Sequence, residues 1–132
     1  MTLLIKESHQ IPLVSVGIFA KGGRMHENAA KAGLTGLMLR TSLKGTRKRS
    51  AAQLALEIEN LGTGIHFTST PDYFNYSMNI LSKNYAAGFD VLADVVTAAV
   101  FPEEEMAKEK ANMLAQITRE KDDMFQHPLN LF

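Results

Sequence analysis

The 132 residues are enough for one domain or part of one. Lys plus Arg and Asp plus Glu each total 14, so the net charge is zero and gives no electrostatic reason to expect nucleic acid or an anionic membrane as partner. Cysteine is absent, which excludes disulfides, thiolate catalysis and cysteine-ligated metal, and no apolar run is long enough to span a bilayer.

Residues 2–6 alternate loosely and predict a short first strand, with Ser8-His9-Gln10 as a hairpin turn. Residues 13–20 (LVSVGIFA) predict a clearer strand, with Val14, Val16 and Ile18 on one face. Lys21-Gly22-Gly23 closes it. The period then changes: residues 28–43 predict a helix with Asn28 as a cap and Leu34, Leu37, Met38 and Thr41 on its stripe. The basic cluster Lys44, Arg47, Lys48 and Arg49 reads as a solvated turn. Ser50 is a plausible N-cap for a short helix over residues 50–61, with Leu54, Ile58 and Leu61 inward and Gly62 as the stop.

A hairpin follows, with strands at residues 64–70 and 73–81 around Pro71-Asp72. Its aromatics Tyr73, Phe74 and Tyr76 read as packing groups. Residues 85–100 return to helical period, with Phe89, Leu92, Val95 and Val96 as the buried stripe. Phe101-Pro102 breaks that helix, and residues 103–123 predict a long charged one with acids in its first turn. His127-Pro128 begins something new. The order is ββααββαα, an α+β class with an antiparallel or mixed sheet and paired helices packed on it.

Four segments, in order, resemble the N-terminal domain of the insulinase/pitrilysin family, which includes the mitochondrial processing peptidase. They are the turn Gly22-Gly23-Arg24-Met25-His26-Glu27, the helix from Gly33-Leu34 to Lys44-Gly45-Thr46, the stretch from Leu61-Gly62 through Asp72 to Tyr76, and Phe101-Pro102 before the charged helix. The resemblance covers nearly all of residues 1–132 and implies a processing-peptidase-like metallohydrolase fold. It also implies that these residues are the front portion of one domain in a longer two-domain chain.

The family's chemistry needs the inverted zinc motif H-x-x-E-H and a distant glutamate. Two histidines one helical turn apart bind the metal, and the intervening glutamate activates its water. By resemblance the first histidine falls on Gly36, the glutamate on Leu39, the second histidine on Arg40, and the distant glutamate on Gln116. None is retained, so the expectation is a chain without catalytic residues or metal of its own, zinc being carried only by a partner. The family's substrate-pairing strand falls on His66, Phe67 and Ser69, where the bulk of Phe67 is expected to leave less room for an added strand.

The residues themselves offer no substitute chemistry. His9, His26, His66 and His127 share no i, i+4 spacing, His26-Glu27 reads as structural, and Ser42 and Ser69 have no adjacent His/Asp constellation. Arg40 is expected either to pair with Gln116, Glu120 or Asp94 or to guide a peptide carboxylate. The resemblance implies a non-catalytic subunit that forms half of a peptide-enclosing chamber with a homologous subunit or second domain. Its alternatives are a purely structural homologue, like the core subunits of the cytochrome bc1 complex, and an active zinc metallopeptidase if the motif register differs.

Overall fold

A computed structural model describes residues 1–122, with side chains to Arg119. Its elements are β1 (Leu13–Lys21), α1 (Leu34–Ser42), α2 (Ala51–Asn60), β2 (Ile65–Ser69), β3 (Tyr73–Leu81), α3 (Tyr85–Ala98) and α4 (Glu103–Asp122), with short 3-10 turns between several of them. The α+β class holds. The strands form one antiparallel sheet in the order β1-β3-β2, so the hairpin partner β3 is central and β1 and β2 are the edges.

The alternation seen in β1 is realised. Val14, Val16 and Ile18 turn toward the helices, as do Tyr76, Met78 and Ile80 of β3 and Ile65 of β2. They meet Leu39 of α1, Leu54 of α2, and Val91, Leu92 and Val95 of α3 in one core. No described helix covers the opposite sheet face, where Phe19 packs on Tyr73 at 5.8 Å between ring centres. A helix-covered face and a bare face are what period-two strands of mixed polarity produce.

Two expected elements differ. Residues 2–6 form no strand, and the turn at Ser8-His9-Gln10 closes no hairpin; Leu3, Leu4 and Ile5 are exposed. An apolar run becomes a strand only when a ladder partner satisfies its backbone, and among the described residues none lies beside it. The helix expected from Asn28 starts later, at Leu34. Asn28 instead caps a 3-10 turn, its side chain accepting from Lys31 N at 3.1 Å.

The buried faces shift accordingly. On α3 the core positions are Gly88, Val91, Leu92 and Val95, whereas Phe89 and Val96 are exposed. On α1 Leu39 is buried and Leu34 is exposed. The reading of α2 stands: Ser50 and Gln53 form a reciprocal capping box, Leu54 is buried, and Gly62 follows at φ 64. α4 is described from Glu103 to Asp122, and His127-Pro128 lie outside the described residues.

Arg49 is no solvated turn residue. Its guanidinium meets Glu57 at 2.6 Å, Asp90 at 2.6 Å and Asp94 at 2.8 Å. Thr46 Oγ1 also donates to Asp94 Oδ2, at 2.5 Å. The loop after α1 is thereby tied to α2 and α3. These contacts hold Arg49 protonated even more firmly than usual, through Glu57 first and then Asp90 and Asp94. They depress the Asp94 carboxyl, through Thr46 first and then Arg49. A cation with only 14% of its side chain exposed needs this degree of pairing.

Candidate functional site

The local sequence explains how α1 is placed. Glu27 reaches the start of α1, where Oε2 accepts from Gly33 N at 2.7 Å and Oε1 from Thr35 N at 2.6 Å. Hydrogen bonds from Thr35, then Gly33, hold its carboxyl below the usual range. Glu27 is therefore occupied as a helix cap, and its anion suits the positive end of the helix. Upstream, the loop at Gly23 crosses the β2–β3 hairpin tip, with Arg24 N donating to Thr70 O and Met25 N to Pro71 O, both at 3.1 Å. A Cβ on Gly23 would collide with Thr70 O and Pro71 O, so only glycine fits this crossing.

α1 lies against α4, and that contact brings together three of the singled-out positions. Arg40 Nη2 donates to Gln116 Oε1 at 3.3 Å across 76 residues of sequence. One turn before Arg40, a Cβ on Gly36 would lie 3.4 Å from Met113 Cε. The Met113 side chain thus approaches the place a larger residue at 36 would use. Leu39 is turned the other way, at 0% exposure within the core. Farther along the same contact, Lys44 Nζ pairs with Glu109 Oε1 at 3.0 Å.

Of the partners expected for Arg40, Gln116 is the one observed. Asp94 is engaged by Arg49 and Thr46, and the Glu120 side chain lies outside the described ones. The chemistry of the cluster is narrow. Gly36 has no side-chain donor atom, Leu39 has no lone pair, and Arg40 is a permanent cation. The Gln116 amide oxygen is neutral and accepts from that cation. These residues do not fit a divalent metal. Among the described residues no group of three or more His, Asp or Glu side chains is placed to hold one.

β2 carries the other singled-out positions. Its hairpin closes with Thr70 N donating to Tyr73 O at 2.9 Å. By antiparallel alternation the backbone N–H and C=O groups of Ile65, Phe67 and Ser69 then face away from β3, along an edge that no other described strand covers. Phe67 packs against the core on the helix side, so its ring does not lie across that edge. His66 is exposed on the bare face. Ser69 Oγ is buried with no hydrogen-bond partner among the described residues.

His9 and His26 are exposed and separate from this cluster; His9 meets Glu7 at 2.8 Å, and His127 lies outside the described residues. Ser42 Oγ pairs with Tyr76 Oη at 2.8 Å beside an apolar cavity of about 240 Å³ lined in part by Met38, Phe74, Val95 and Phe101. Sequence reasoning missed Met113 and Glu109. Their signal was available: Glu109, Met113 and Gln116 recur at helical spacing on α4.

Comparison with known proteins agrees with this layout. A family model described as insulinase (peptidase family M16) matches residues 2–130. An uncharacterized zinc protease of Rickettsia felis is 28% identical over 123 residues, 93% of this chain and 30% of that protein. The mitochondrial-processing peptidase subunit beta of Rattus norvegicus is 28% identical over 111 residues, 84% of this chain and 23% of that protein. The chain therefore spans under a third of the length of these curated relatives. Among solved structures, a peptidase M16 inactive domain from Pseudomonas fluorescens superposes with a TM-score of 0.81 at 21% identity, covering 88% of this chain and 28% of that one. The latter likeness is one of fold. The chain belongs to the insulinase family, peptidase family M16.

Proposed function

We propose that this chain is the front portion of a non-catalytic family member, which encloses peptide together with a homologous subunit that carries the zinc. The observation that carries the reading is the α1–α4 contact: Gly36 and Arg40 face Met113 and Gln116, and Leu39 has joined the core. By family resemblance Gly36, Arg40 and Gln116 occupy the zinc-ligand positions and Leu39 that of the water-activating glutamate. A cation hydrogen-bonded to a neutral amide replaces a cation-binding set, so a divalent ion there would be repelled rather than held.

Two findings support the wider picture. One relative is named as the beta subunit of a processing peptidase, and one fold neighbour is described as an inactive domain. The open edge of β2 supports a peptide-holding role, since an extended segment can add to it as a further strand.

The test is a cleavage assay on the full-length protein with unfolded peptide, alone and mixed with a homologue bearing an intact H-x-x-E-H. The expected result is no hydrolysis by this protein alone and faster hydrolysis by the mixture than by the homologue alone. Cleavage by this protein alone would refute the non-catalytic assignment. A mixture no faster than the homologue would refute the chamber and favour a structural homologue.

A further inference from the structure

We propose that Arg40 is a carboxylate-binding group, gripping an Asp or Glu side chain of a peptide that adds as a strand to the free edge of β2. This inference rests on the peptide-enclosing reading above and names the chemistry of what is enclosed.

Three observations converge on it. Arg40 is half-buried, yet among the described residues it makes no ion pair, and its one hydrogen bond, to the neutral Gln116 oxygen, is 3.3 Å long. The contrast is with Arg49, which holds three carboxylates, and with Lys44, which holds Glu109. A guanidinium has five donors, so most of Arg40's capacity is unspent. Second, α1 packs beside β2, which places the arginine's helix over the strand whose outer backbone has no ladder partner among the described residues. Third, β2 (IHFTS) has neither the Lys nor the Pro that commonly blunts an edge.

Geometry selects the side chain over the chain end as the source of the carboxylate. A strand added to β2 lies in the plane of the sheet, and its alternate side chains rise toward the helix layer. A C-terminal carboxylate stays in the plane; an Asp or Glu on the helix-facing row rises toward α1. Ser69 Oγ, on that same row of β2 and without a partner among the described residues, is a further polar group such a peptide could satisfy. Bidentate pairing with carboxylate is the geometry arginine favours.

The experiment measures binding of a short fluorescent β-prone peptide with one central Glu, its Gln counterpart, and a C-terminally amidated Glu form. Each is titrated into the full-length protein, its Arg40→Gln variant and its Arg40→Lys variant, with unfolding curves confirming that all are folded. Wild type should favour the Glu peptide by about tenfold over the Gln peptide. That preference should vanish in Arg40→Gln and return in part in Arg40→Lys, and amidation should change nothing. Equal binding of the Glu and Gln peptides, a preference that survives Arg40→Gln, or dependence on the free C-terminus would each overturn the inference. Zinc content of the same wild-type sample separates the two claims. Zinc-free protein lacking the preference defeats this inference alone, whereas zinc-bearing protein that cleaves the peptide defeats the non-catalytic reading with it.

Discussion

Arg49 shows how a single side chain can organise three elements. It joins residues 8, 41 and 45 positions away in sequence, Glu57, Asp90 and Asp94, around the loop after α1. Arg49→Met removes every one of these pairings and leaves the buried Asp94 with the Thr46 hydroxyl as its hydrogen-bond partner. Thermal unfolding should fall by about 10 °C, measured by circular dichroism at neutral pH. The pH dependence has a fixed sign. The folded pKa values of Asp90 and Asp94 are depressed below 3.8, so the stability they contribute is present above that value and is lost as pH falls through the lowered folded values. The gap between wild type and Arg49→Met should therefore stay constant down to about pH 5 and narrow in stronger acid. Gly23 makes a second residue-scale prediction. Gly23→Ala forces the loop off Thr70 and Pro71 and should destabilise the protein by about 1–3 kcal/mol in urea unfolding.

At the scale of elements, α1 is the informative helix because its two sides have separate jobs. Its inner side delivers Leu39 to the core; Leu39→Ala should cost about 2–5 kcal/mol by denaturant unfolding, as expected of a fully buried leucine. Its start depends on Glu27. Glu27→Gln should cost about 1 kcal/mol at neutral pH. Because the folded pKa of Glu27 lies below 4.5, that deficit shrinks as acid protonates the wild-type carboxylate. Legibility also divides by element. α2 and the β2–β3 hairpin could be read directly, since the Ser50–Gln53 box and Pro71-Asp72 are local signals. The start of α1 could not, because a glutamate six residues before Gly33 caps it from outside any helical window. The strand expected at residues 2–6 failed for a related reason: alternation names a candidate strand, whereas a partner decides whether it pairs.

For the whole molecule, the family register was legible while the cluster built on it was legible only in part. Gly36, Arg40 and Gln116 were expected to converge from two helices, and the Arg40–Gln116 hydrogen bond and the approach of Met113 to Gly36 place them together. What the sequence concealed was the filling of that space by Met113 and the second tie between the same helices, Lys44 to Glu109. Helical spacing puts Glu109, Met113 and Gln116 on one face of α4, but what that face meets depends on how α4 lies across α1. The Arg49 cluster was hidden for the same reason, since its carboxylates sit on α2 and α3. The molecule thus keeps the scaffold of a metallopeptidase domain, while the residues at the α1–α4 contact have the chemistry of a hydrogen-bonded, uncharged-to-cationic pair. The central claim is that this contact holds no metal. Zinc content per chain, measured by mass spectrometry on full-length protein purified without chelator, tests it most directly. Far less than one zinc per chain is expected, unchanged by Arg40→Gln; one zinc per chain, retained through dialysis, would contradict the non-catalytic reading.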